Sequence, residues 1–356
     1  MSRRPKLGSI IQRYFPGLRK SQRKTISALV PSLLERGRVG YAEIARGMKD
    51  GVSVRHRIRR ISRFCKNHRL DLLAVSKGMV RWLGQPDRPV VVALDWTQLL
   101  DQYWLLAAKV GLDHRAIPIA WRVMRQSEFG PKDVSRNAVE ENLIDQVHQA
   151  MAGRPWILVA DRGFARAELF DHLQHKGILY VIRVPGNTWI RCEEFTGALD
   201  NLPRCPRVLK CYPHVAYRKK RPVIVTLVLT HEEPAPEPWY LITNLALEPD
   251  EIVPLYGQRM WIEESFRDAK SHLGLKKLWL SKADRFERIM ILVAVAMLIF
   301  VLIALDYHRE FGQTDPQLTT KRKGRTLSLF RLGQLLYSLF GLPPYLLRLR
   351  LLVEVT

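Results

Sequence analysis

The sequence predicts an α/β protein: a mixed β-sheet flanked by helices, with a β-rich insertion and helical regions at both ends. Three observations carry this. Short apolar, β-branched runs alternate with helical periodicity from residue 90 to 184. Two of those runs end in an acid, VVVALD at 90–95 and WILVAD at 156–161. Hydrophobic residues make up 47% of the 356, enough for a large core.

Residues 1–85 read as helical and basic. Helical periodicity runs over 22–36 and 41–48, and Lys-Asp-Gly at 49–51 signals a turn. Ser53 is placed to cap a helix over 54–66, with Val54, Ile58, Ile61 and Cys65 on its apolar face. Arg55, Arg57, Arg59, Arg60, Arg63 and Lys66 cover the rest, with few acids nearby. This is a helix-turn-helix-like pattern whose second helix is cationic, suited to DNA. A merely solvated amphipathic helix is the competing reading.

After a linker at 84–89, strands are expected over 90–95, 103–110 and 117–124, then a helix over 137–151. A strand over 156–161, a helix over 165–176 and a strand over 178–184 follow. The order is β-β-β-α-β-α-β. Residues 185–247 hold Pro185-Gly186-Asn187, several further prolines and strand-like runs at 222–230 and 239–244, and read as a β-rich insertion. Residues 283–356 are helical, with a basic stretch at 321–325.

Lysine and arginine number 57 against 34 acids, a net charge of +23. Such an excess favours a polyanionic partner, because Lys and Arg neutralise phosphates and release counterions. The four cysteines (65, 192, 205 and 211) do not make a disulfide scaffold, and no signal-peptide core follows the N-terminus. A cytoplasmic location is expected. The apolar run at 289–305 sits at the lower limit for crossing a bilayer. A helix buried within the protein is the preferred reading, with no membrane partner. Cys192, Cys205, Cys211 and His214 lack the paired spacing of a zinc site. No phosphate loop of the GxxxxGK type is present.

One helical stretch, YGQRMWIEESFRDAK at 256–270, concentrates the chemistry. At roughly 100° per residue, Tyr256, Arg259, Glu263 and Lys270 fall within an arc of about 60°. Glu264 lies about 100° off that stripe and is the rival acid. A carboxylate among two cations and a phenol suits both a metal and a DNA phosphate. Asp95 and Asp161, at the ends of buried strands, supply two further carboxylates.

The spacing Tyr256-x2-Arg259-x3-Glu263-x6-Lys270 resembles the Tyr-Arg-Glu-Lys signature of transposases of the insertion-sequence four (IS-four) family. Asp95 and Asp161 resemble that family's first and second catalytic Asp. The resemblance covers roughly residues 50–310. It implies a ribonuclease-H-like core formed by 86–184 and 248–282, preceded by a basic DNA-binding region over 1–85. The 185–247 insertion would interrupt that core, and the helical 283–356 would follow it. It implies that Asp95, Asp161 and Glu263 hold two Mg²⁺ or Mn²⁺ ions for DNA cleavage and strand transfer. Tyr256, Arg259 and Lys270 would grip the DNA backbone near the cleaved end, and the partners implied are double-stranded DNA, both transposon ends and target, and a second copy of the chain in a homodimer on the DNA. Some relatives form a hairpin intermediate and stack a flipped base on an aromatic side chain. Trp189 is the candidate here, with a packed insertion aromatic as the other reading. The rival functions are a catalytically inactive DNA-binding derivative and a ribonuclease-H-like nuclease.

Overall fold

The computed structural model describes residues 7–83, 88–130, 134–202, 209–231, 237–312 and 327–342. The basic stretch at 321–325, Cys205 and most of the 84–89 linker lie outside the described residues. Five helices come first: α1 (Leu7–Tyr14), α2 (Lys20–Arg36), α3 (Tyr41–Gly47), α4 (Val54–Cys65) and α5 (Leu72–Trp82). The first three strands are β1 (Val90–Leu100), β2 (Tyr103–Leu112) and β3 (Arg115–Arg125). Helix α6 (Arg136–Met151), strand β4 (Trp156–Ala160), helix α7 (Ala167–His175) and strand β5 (Leu179–Val184) complete the expected order.

The sheet has the order β3-β2-β1-β4-β5 in this part, with β1 to β3 antiparallel and β4 and β5 running parallel to β1. That is the ribonuclease-H-like arrangement expected. β4 is buried at every residue. This is why its sequence reads as a continuous apolar run rather than an alternation: parallel strands are covered on both faces.

Strands β6 (Trp189–Arg191), β7 (Thr196–Ala198), β8 (Lys210–Tyr217), β9 (Val223–Thr230) and β10 (Trp239–Thr243) form the β-rich stretch. They do not build a separate sheet. β10 pairs antiparallel with β5, and β9, β8, β6 and β7 follow outward, so ten strands form one sheet. The outer strands also reach back to the centre: the Tyr217 hydroxyl donates to the Ala165 carbonyl at 3.2 Å, in the turn beyond β4.

Helices α8 (Pro249–Gly257) and α9 (Trp261–Arg267) follow, then α10 (Ala283–Phe311) and α11 (Leu329–Phe340). α10 carries the 289–305 run. It is buried from Arg288 to Ala304, packing on β3, α2, α4 and α11. Its apolar character serves the protein core, which matches the preferred reading. Arg288, the one cation in the buried stretch, donates to the Cys65 carbonyl at 3.0 Å and to Asp284 at 2.8 Å. A buried guanidinium is tolerated because these partners replace its water.

Two local expectations are corrected. The buried face of α4 is Ile61, Phe64 and Cys65, while Val54 is 41% exposed. Val54 opens the helix, in a turn that projects beyond the packing. Ser53 does occupy the cap position, but its hydroxyl pairs with the His56 Nδ1 at 2.8 Å rather than with the helix backbone.

Candidate active site

β1 and β4 run side by side in register from Val90–Trp156 to Leu94–Ala160. Asp95 and Asp161 each follow the last registered pair, so the two carboxylates emerge at the same end of adjacent parallel strands. Successive strand residues point to opposite faces. Trp96 therefore turns away, and its indole N–H donates to Glu140 of α6 at 2.8 Å. Asp95 turns toward the helix that follows α8, where it meets Arg259 at 3.6 Å.

The turn carrying Asp161 is fastened on two sides. The Asp161 carboxylate accepts from the Gly163 backbone N–H at 2.8 Å. Beyond it, Arg166 is held by Glu140 and by Glu141, the latter at 3.1 Å. Burial raises the Glu140 carboxyl above its ordinary value, and the Trp96 and Arg166 hydrogen bonds oppose that rise. Glu140 thus ties the turn after β4 to the residue beside Asp95.

Residues 256–270 are not one continuous α-helix. α8 ends at Gly257, a 3₁₀ turn covers Gln258–Met260, α9 spans Trp261–Arg267, and a π-helical turn covers Asp268–His272. The uniform 100° phase fails across these joints. The expected residues still converge. Arg259 Nη2 lies 3.0 Å from Glu263 Oε1 while Nη1 faces Asp95. Tyr256 is buried, packs edge-on against Trp239 at 5.0 Å, and has its hydroxyl in hydrogen-bond contact with Arg259. Lys270 donates to the Thr97 hydroxyl, two residues beyond Asp95. Glu264 is drawn off by Arg267 at 2.8 Å and Arg115 at 3.9 Å.

The electrostatics follow from this crowding. Burial, then the like charge of Asp161, pushes the Asp95 carboxyl up to about 6. Burial works against the Arg259 charge, yet Tyr256, Asp95, Asp161 and Glu263 together hold it above its ordinary value. Burial raises the Tyr256 phenol. Burial, then Lys276, lowers Lys270.

Several contributors escaped the sequence reading. Lys109 on β2 is fully buried under α9, donates to the Ser265 hydroxyl at 3.0 Å, and lies 3.4 Å above the Phe266 ring. Burial drives its ammonium well below the ordinary lysine value, against the pull of Asp95 and Asp268. Asp268, buried in the π-helical turn, is pushed up to about 6 by burial despite Arg115 at 3.4 Å. The one available signal was a lysine inside an apolar strand, LLAAKVG at 105–111.

Elsewhere the candidates separate. Arg55, Arg59 and Arg63 of α4 are exposed. Arg57 pairs with Asp50 at 2.6 Å and donates to the Ala45 carbonyl, and Arg60 reaches Asp50 at 3.7 Å. Trp189 is half-buried on β6, opposite Ala198 and beyond five intervening strands from β1 in sheet order. Cys192, Cys211 and His214 line one hollow beside β8.

The transposase DDE domain family matches residues 122–299, half of the chain. The chain belongs to that family. The matched span contains Asp161 and Glu263 and begins after Asp95, whose place rests on the pairing of β1 with β4. No curated protein matches the chain. Among solved structures it is similar to a piggyBac transposase in a synaptic complex with hairpin DNA, determined by cryo-EM. Identity is 13% and the TM-score 0.47, over 98% of this chain and 78% of that one.

Members of this family typically use divalent metal ions, and the donor set can be compared with that need. Two carboxylates at adjacent strand ends, one of them pushed up by burial and then by the charge of the other, suit a hard cation that prefers oxygen ligands. Among the described residues no three acids, histidines or cysteines are gathered on one point. The Arg259 guanidinium stands between Asp95 and Glu263, at 3.6 Å and 3.0 Å.

Proposed function

We propose that this chain is the transposase of a bacterial-type insertion sequence, cutting transposon ends and joining them to target DNA by two-metal phosphoryl transfer. The observation that supports it best is the meeting of Asp95 and Asp161 at neighbouring strand ends with the Arg259–Glu263 pair packed against them. Asp95, Asp161 and Glu263 are the proposed ligands. Two Mg²⁺ or Mn²⁺ ions would activate the attacking oxygen and stabilise the leaving one.

The side chains around them have separate tasks. Arg259 balances the acids and offers the scissile phosphate a planar, bidentate donor. Tyr256 holds that guanidinium in place from below. Lys270, anchored on Thr97, presents a point charge to the neighbouring phosphate. Lys109 and Ser265 fix the height of α9 on the sheet, and with it Glu263. Helices α3 and α4, with the exposed Arg55, Arg59 and Arg63, supply duplex contacts, and Arg57 and Arg60 brace that unit through Asp50. Trp189 remains the proposed stacking residue of the insertion. The working species is a homodimer on DNA in the cytoplasm, since two transposon ends require paired cutting.

The test is metal-dependent cleavage of the flanking terminal repeats. Asp95→Ala, Asp161→Ala and Glu263→Ala should each abolish cutting and spare DNA binding. Cutting retained by any one of them removes that residue from the metal site, and a wild-type chain that binds but never cuts marks an inactive derivative.

A further inference from the structure

A hollow of about 990 Å³ lies beside the acids rather than on them. The β1–β2 turn forms one wall, from Gln98 to Tyr103. Residues 276–285 form the other. Four cations line it, Arg125, Lys270, Lys276 and Arg285, against one acid, Asp101. Three of these are already held: Arg125 donates to the Ser281 carbonyl at 2.8 Å, Arg285 to the Ser281 hydroxyl at 3.3 Å, and Lys270 to the Thr97 hydroxyl. Lys276 is exposed and contributes a like charge to Lys270.

Trp279 stands on the rim of this hollow with 81% of its surface exposed, the most exposed large hydrophobic side chain described. Its neighbours Leu278 and Leu280 are buried and hold the loop, and the Leu280 carbonyl accepts from the Tyr103 hydroxyl at 3.0 Å. The backbone is therefore fixed while the indole is presented to solvent. A large aromatic face held in solvent on a fixed backbone is open to a partner beside the four cations.

We propose that Trp279 is a stacking platform for an unpaired nucleotide of the DNA strand adjoining the cleavage site, with the surrounding cations holding that strand's phosphates. The inference rests on the reading of Asp95, Asp161 and Glu263 as the strand-cutting centre. Gln98 lies three residues beyond Asp95, about 10 Å along β1. Lys270 bridges the interval by its bond to Thr97. A strand whose phosphate meets the acids thus has its adjacent nucleotides over the hollow. Cations alone would serve a duplex backbone, whereas an indole face among cations suits a base that has left its stack. Stacking is sequence-tolerant, because every base offers a π-face.

The test uses the full chain without divalent metal, so that it is independent of cutting. A short single-stranded thymidine oligomer and a blunt duplex of equal length are titrated, read by anisotropy. Trp279→Ala should bind the single strand about tenfold more weakly and the duplex nearly as before. Trp279→Phe should recover most of the loss. The salt dependence should be unchanged in Trp279→Ala, which loses no charge, and shallower in Lys276→Ala. Equal single-strand affinity in wild type and Trp279→Ala overturns the proposal. So does an equal loss on both DNAs, or a loss of self-association in place of a loss of DNA binding, which would make Trp279 a protein contact. A wild type that never cuts DNA, yet shows the tenfold effect, would sink the transposase reading and the placement beside a cleavage site, while the single-strand contact of Trp279 stands.

Discussion

Removing the Arg259 side chain leaves Asp95 facing Asp161 without the cation they share with Glu263. In metal-free buffer Arg259→Ala should lose about 3 kcal/mol of stability, the usual cost of stripping one partner from a buried charge pair. Adding Mg²⁺ should restore more stability to this variant than it adds to wild type. Thermal melts with and without the ion check it, and an equal response would show that Arg259 and the metal do not compete. Protonation gives a second test. Asp95 and Asp268 both have carboxyls raised to about 6, above their unfolded values. Between pH 4 and 6 the folded state therefore holds protons that the unfolded state has lost. Stability contributed by these two groups is complete below about pH 4, falls as pH rises to about 6, and is level above. Asp95→Asn should flatten that slope and gain on the order of 2 kcal/mol at neutral pH. Chemical denaturation across the pH range reads it. The acids themselves were legible because an acid closing a continuous apolar run is conspicuous. Lys109 was harder, since its only signal was a lysine inside an apolar run, which does not by itself tell a buried lysine from one on an exposed strand face. The pairing of Arg57 with Asp50 was missed for a related reason: it joins α4 to the turn that precedes it, a contact set by how the chain folds back.

At the scale of elements, the position of Glu263 depends on how closely α9 lies on the sheet. Gly111 of β2 sets that distance. A Cβ there would sit 2.8 Å from the Trp261 ring and 3.1 Å from Gln258. Gly111→Ala should push α9 outward, cost about 1–3 kcal/mol and lower metal-dependent cutting more than DNA binding. Paired cleavage and binding assays decide this, and unchanged cutting would release α9 from its proposed role. The joint between α10 and α11 is tighter still, since a Cβ on Gly333 would overlap the Phe300 backbone carbonyl. Gly333→Ala should undock α11 and lower the melting temperature, whatever its effect on catalysis. Element types were largely readable: the apolar run read as a strand over 90–95 opens β1, which continues to Leu100, and the helix read over 137–151 is α6. The breaks inside 256–272 were not. The 3₁₀ and π-helical turns are set by packing on Lys109, Arg115 and the sheet, which lie far away in sequence.

For the whole molecule, a charge of +23 makes DNA affinity a function of ionic strength. Binding to a non-cognate duplex should weaken steeply and linearly on logarithmic axes as salt rises. A titration series would show it, and a flat response would remove phosphate neutralisation from the account. The chain order β-β-β-α-β-α-β was legible from the alternation of strands and helices, while the ribonuclease-H-like core came only with the family resemblance and the spatial order β3-β2-β1-β4-β5 only with the structure. The continuation of the same sheet through β10 to β7 was not legible, because a proline-rich segment reads equally well as a separate unit.

Helix α10 also imposes a timetable on synthesis. It covers α2 and α4, and Arg288 bonds to Cys65, 223 residues earlier. At roughly 5–20 residues per second, some 10–45 seconds separate the two on the ribosome. Throughout that interval the N-terminal helices and β3 lack their common cover. A product that terminates before residue 283 never acquires it, and is left as an open surface for chaperones and proteases.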